Sequence, residues 1–150
     1  MPRFMPILAA LIILAMLADP DRPAMTAQGN DRAAISGLIS RYIQCFNARD
    51  TECLLDLYAD HARIKVDDLS EDEWVGVDRY AARLQKKLDD YEERGARITS
   101  HDIEELRMSD RRAEIVISVT AEQSIFSKSF SGSFGLAKTI RGWRIIRDEF

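Results

Sequence analysis

Up to Tyr91 the apolar residues of this chain keep mostly to the three-and-four spacing of helices, and from Arg97 onward they alternate. Ile35, Leu38, Ile39, Tyr42, Ile43 and Phe46 share one face of a helix predicted over Asp31 to Ala48, with Asn30 or Asp31 able to cap it. Asn47 to Asp50 reads as a break, and Asp50 as the cap of a short second helix, Thr51 to Ala59, that turns Leu54, Leu55 and Tyr58 inward. Ala62, Ile64 and Val66 form a brief strand pattern. A third helix carries Val77, Tyr80, Ala81, Leu84, Leu88 and Tyr91 inward and closes at Gly95, where a left-handed residue suits a helix end. Four strands follow: Ile98 to Met108, Ala113 to Ala121, Phe126 to Leu136, and Trp143, Ile145 and Arg147 leading to Phe150. In the first of these Ile103 and Leu106 are out of phase by one residue, which a β-bulge near Glu104–Glu105 would repair while bending the strand. Helices first and hairpin-connected strands afterwards predict an α+β fold, with three helices packed on one face of a curved antiparallel sheet.

The first thirty residues stand apart from that pattern. Arg3 supplies a small positive region, and Pro6 to Ala18 is almost wholly apolar. That is the make-up of a secretory signal, short of the roughly 20 residues that span a bilayer. Ala18 or Ala27 is the candidate last residue removed, although each has a Met at the −3 position (Met16, Met25) where a small residue is usual; an uncleaved anchor is the alternative. Asp19 to Asn30, with Pro20, Pro23 and Gly29, reads as a linker. Residues 1–27 are therefore assigned to the signal and the start of the linker, and 28–150 to one domain. The expected location is periplasmic or secreted, with no membrane contact after cleavage. A net charge of −4 and the lack of a long basic run exclude nucleic acid as a natural partner. Arg107, Arg111 and Arg112 flank an apparent turn and read as a solvated hairpin tip.

Cys45 and Cys53 are the only cysteines. On one unbroken helix they would lie ~12 Å apart, too far for a disulfide, but the break after Asn47 lets the second helix fold back. A bridge contributing about 2.5 kcal/mol by closing so short a loop and a pair of buried free thiols both fit the residues. The spacing is not that of a Cys-x-x-Cys redox motif, and two cysteines are too few for a structural zinc site.

Arg41-Tyr42-Ile43-Gln44-Cys45-Phe46-Asn47-Ala48-Arg49-Asp50, followed by Leu55-x-x-Tyr58-Ala59-Asp60-His61-Ala62, resembles the opening of nuclear transport factor 2-like proteins, particularly the steroid isomerase-like and SnoaL-like members. Gly142-Trp143-Arg144-Ile145-Ile146 resembles their closing strand. The resemblance implies a cone, a strongly bent sheet wrapped around the helices with a pocket at its open end. It also implies a homodimer through the outer face of the sheet.

In steroid isomerase relatives a tyrosine on the first helix holds a developing enolate and a strand carboxylate moves the proton. Tyr42 matches that tyrosine, but a gapless alignment sets Val66 at the carboxylate position, with Asp67 turned to the opposite face. The partner acid falls near Ser133. An interior poor in proton-transfer groups is the expectation, with Tyr42 and His101 the candidates for catalysis, an acid of the acidic run Asp67 to Glu73 an alternative base to His101, and no residue assigned to it. His61 is expected at an exposed corner, and the two histidines make no metal site. The acidic run Asp67 to Glu73 lacks the order of a calcium loop. Trp74 is either anchored on the third helix or set at the pocket mouth. Together these residues predict an exported domain that binds a small apolar or amphipathic ligand without catalysis, its pocket formed by Tyr42, Val66, Trp74 and His101. No cofactor and no metal are called for. An envelope interaction or assembly domain and an acid–base enzyme are the alternatives.

Overall fold

The computed structural model describes residues 22–66 and 73–150, with side chains from Ala27 onward. The signal segment and most of the acidic run lie outside the described residues. In chain order the elements are α1 (Arg22–Asn47), α2 (Thr51–Asp56), β1 (Tyr58–Lys65), β2 (Trp74–Gly76), α3 (Val77–Glu93), β3 (Arg97–Met108), β4 (Arg112–Gln123), β5 (Phe126–Thr139) and β6 (Gly142–Glu149). The strands form one curved, unclosed sheet in the order β2-β1-β6-β5-β4-β3. Ile35, Ile39, Leu84 and Leu88 of the helices meet Ile115, Ile117, Phe134, Leu136 and Ile145 of the sheet, all of them solvent-free or nearly so.

Three boundaries differ from the sequence reading. The first helix begins at Arg22, so the stretch read as a linker is helical from there; Pro23 falls in its first turn, where a missing N–H leaves no bond unmade. The second helix stops at Asp56, because the sheet captures the chain: the Ile145 N–H donates to the Leu57 carbonyl (2.8 Å) and Tyr58 pairs with Ile145. That pairing of β1 with β6 is parallel, while the other four are antiparallel. Trp74–Gly76, read as the end of a loop, adds an edge strand to β1.

The helix break forms as expected. Arg49 takes a left-handed conformation (φ 58°), and the Cys53 N–H donates to Asp50 Oδ1 (2.9 Å) at the start of α2. The fold-back brings the Cα atoms of Cys45 and Cys53 to 5.6 Å, and the two are joined in a disulfide. Asn47 then ties this corner to the sheet. Its amide donates to the Ile98 carbonyl (2.8 Å) and accepts the Ile98 N–H (2.9 Å).

Two irregularities bend the sheet where the site lies. In β3 the partner of Ile117 is Ile103 and that of Val116 is Glu105, so Glu104 is the extra residue at the predicted bulge. In β6 the partner of Leu136 is Ile145 and that of Gly135 is Arg147, so Ile146 is extra. A Cβ on Gly135 would stand 3.1 Å from the Cβ of Arg147, a tight approach that the glycine facing this second bulge relieves.

Candidate functional site

The bulge at Ile146 decides what faces the interior. Plain alternation from Trp143 and Ile145 would send Arg147 inward and Asp148 out. One inserted residue reverses that parity. Asp148 pairs with Phe134 on the concave face and is only 2% exposed, whereas Arg147 faces outward toward Glu114 and Glu149.

Asp148 lies in a cavity of about 500 Å³ between the concave face of the sheet and helices α1 and α3. Tyr42 from α1, Tyr80 from α3 and Ile64 from β1 are buried around it, and Phe46, Ile98 and Phe130 supply apolar wall. Tyr42 packs edge-on against Phe134, with ring centroids 5.2 Å apart. Phe150 stacks on Phe134 (5.8 Å, 7° between planes), and its ring lies so close to Gly132 that a Cβ there would come within 1.8 Å of it.

The carboxylate is held from behind. The Tyr58 hydroxyl donates to Asp148 Oδ2 (2.5 Å), and the Phe150 N–H donates to Oδ1 (3.0 Å). Burial raises the Asp148 pKa from 3.8 to about 6, since the charged form loses water; the Tyr58 bond and the nearby Lys87 charge pull it partway back. Burial, and after it the Asp148 charge, pushes the hydroxyls of Tyr42, Tyr58 and Tyr80 above their usual range, so all three stay protonated as donors. A carboxyl group poised near neutrality beside neutral phenols can accept a ligand's hydrogen bond or exchange a proton with it.

The profile of the SnoaL-like domain family matches residues 27–147. The chain belongs to that family. The SnoaL-like domain has the cone fold of the nuclear transport factor 2-like superfamily, and solved structures agree. A nuclear transport factor 2-like protein with a cystatin-like fold from Novosphingobium aromaticivorans is 20% identical, with a TM-score of 0.70 and 89% of each chain covered. A nuclear transport factor 2-like protein of unknown function from Shewanella oneidensis is 18% identical, with a TM-score of 0.64 over 78% of this chain and 95% of its own. A ketosteroid isomerase-like protein from Erwinia carotovora is 19% identical, with a TM-score of 0.57 over 77% of this chain and 91% of its own. At such identities the likeness is one of fold. No curated protein matches the chain.

Within this SnoaL-like domain the structure brings two of the four expected pocket residues to the cavity. Tyr42 and Val66 line it; Trp74 and His101 do not. Trp74 is held in the edge strand opposite Lys65, and its carbonyl accepts a bond from Arg63 Nη2 (3.0 Å). His101 sits in β3 opposite Val119, beyond the stretch of that strand, Arg97 and Ile98, that reaches the cavity. His61 is exposed, within β1 rather than at a corner. Among the described residues no group of three or more His, Cys, Asp or Glu converges on a point. The expected lack of a proton-transfer group is corrected by Asp148, which the bulge conceals from simple alternation. The usable signal was Asp148 and Phe150 lying three and five residues beyond Ile145, a phase slip of the kind already legible at Glu104.

Proposed function

We propose that this SnoaL-like domain binds a small amphipathic molecule, its apolar body against Phe46, Ile64, Ile98 and Phe130 and a polar group against Asp148 and Tyr42. One observation carries the reading: a cavity of about 500 Å³, mostly apolar, with one buried carboxyl at its floor among the described residues. Small-molecule sites run to roughly 300–1,000 Å³ with a few convergent polar groups. An open cavity also speaks against a cone packed shut for assembly alone. The test is a thermal-shift screen of amphipathic metabolites on the wild-type protein and on Ala121→Trp, whose indole would fill the cavity. A binder should raise the wild-type Tm and leave Ala121→Trp unmoved. A flat wild-type response across a broad panel would sink the proposal.

A second reading, acid–base catalysis, is favoured by Asp148 itself. A carboxyl raised to about 6 is half-protonated near pH 6 and still about one-tenth protonated at pH 7, so both forms are present for passing a proton. Tyr42 would then donate to an oxygen on which charge develops. Asp148→Asn separates the two readings: a binding site keeps ligand affinity within a few fold, whereas an enzyme keeps affinity and loses turnover. We also propose that the domain works outside the cytoplasm. The apolar Pro6 to Ala18 segment supports this, and the Cys45–Cys53 disulfide is compatible with an oxidising compartment.

A further inference from the structure

The chain as a whole is acidic, with 25 Asp and Glu against 21 Lys and Arg. Its cavity reverses that balance. Lys65, Arg83, Lys87, Arg97 and Lys128 line it, and among the described residues Asp148 at the floor is the one acidic residue that does. These cations come from four separate elements, β1, α3, β3 and β5, so they are not the solvated face of one helix. Among the described residues none of the five is in an ion pair.

Arg83 adds the decisive detail. It follows Tyr80 by three residues and precedes Lys87 by four, so α3 turns all three toward the cavity. Among the described residues its Nη1, like Arg144 Nε and Arg147 Nε, is shut off from solvent and has no hydrogen-bond partner; of the three side chains Arg83 alone lines this cavity. A buried guanidinium nitrogen without an acceptor is unfavourable, and a planar oxyanion is the group that its fork fits best.

We infer that the ligand is an anion, a small soluble amphipathic acid whose carboxylate or sulfonate is held by Arg83 while its apolar body lies in the cone. Asp148, deeper and of like charge, sets the acid's direction: the anionic end stays at the basic mouth and a neutral polar group faces the floor. This rests on the binding reading above and names the class of ligand.

Two dyes that differ by one group test it. 1-Anilinonaphthalene-8-sulfonate and N-phenyl-1-naphthylamine share their rings, and only the first carries an anion. Fluorescence titration of the purified protein should give at least tenfold tighter binding of the sulfonate, as one charge-assisted bond supplies, and the difference should shrink with added salt. Arg83→Gln should weaken the sulfonate about tenfold and leave the neutral dye within twofold. Arg97→Gln, at an exposed position, is a second variant that leaves the core untouched. Ala121→Trp should abolish both signals, which separates the cavity from surface adsorption. Dodecanoate should displace the sulfonate; displacement by phosphatidylglycerol vesicles alone would assign the anion to a lipid and overturn the soluble acid. Equal affinity for the two dyes, or a sulfonate indifferent to Arg83→Gln and Arg97→Gln, refutes the anion while leaving binding intact. Failure of both dyes to occupy the cavity refutes the anion together with the binding reading beneath it.

Discussion

Replacing Asp148 with Asn should stabilise the protein at pH 7.5 and leave it almost unchanged at pH 4. The folded protein holds the Asp148 proton to about pH 6, whereas the unfolded chain releases it near 3.8. Between those values the folded state binds more protons than the unfolded state, so stability falls as pH rises and levels off above about 6. A shift of roughly two units corresponds to about 3 kcal/mol lost by neutral pH. Asparagine has the shape of the protonated acid: its oxygen can accept from the Phe150 N–H while its NH2 donates to the Tyr58 hydroxyl, the arrangement open to the neutral acid as well. The variant should therefore gain about 2–3 kcal/mol relative to wild type at pH 7.5 and close to nothing at pH 4.

Urea unfolding of both proteins at half-unit steps from pH 4 to 8 measures this directly, provided the m-values agree. The difference should open across pH 4–6 and then stay level. A difference that does not vary with pH would mean that Asp148 titrates normally and that water reaches it. A variant less stable at every pH would mean that the two bonds from Tyr58 and Phe150 outweigh burial. Either result removes the argument for a poised proton at the cavity floor.

Removing the disulfide as the Cys45→Ser, Cys53→Ser pair should cost about 2.5 kcal/mol, the loop-closure value for so short a span; denaturant melts would show it, and a change below 0.5 kcal/mol would mean that α2 is held by its packing alone. Gly132→Ala drives a Cβ into the Phe150 ring, which must leave its stack on Phe134. The loss of that aromatic contact predicts a fall of about 1–2 kcal/mol, and a wild-type melting curve would show that the ring was never fixed there.

The helices and most strands were legible because each depends on a local repeat. Ile35 to Phe46 can bury one face only as a helix, and Ala113 to Ala121 can do so only as a strand. Glu104 was legible too, since Ile103 and Leu106 broke the alternation visibly on both sides. What could not be read depended on partners far along the chain. Leu57 and Tyr58 satisfy a helical pattern and leave it only because Ile145 offers them a sheet edge. Trp74–Gly76 is too short to show a period and becomes a strand only against Arg63 to Lys65.

Asp148 failed for a related reason, and that reason bears on the function. A charged residue two places before the end of a strand pattern reads as surface, because solvation is its cheapest state. The chain instead spends an extra residue at Ile146 and a glycine at Gly135 to turn that carboxyl inward, then sets Tyr58 and the Phe150 N–H against it. Packing alone would be served better by an apolar side chain at 148, which would carry no desolvation penalty. The arrangement makes sense if the carboxyl meets something in the cavity. Arg83 lines the same cavity from α3, with a buried nitrogen that has no partner among the described residues.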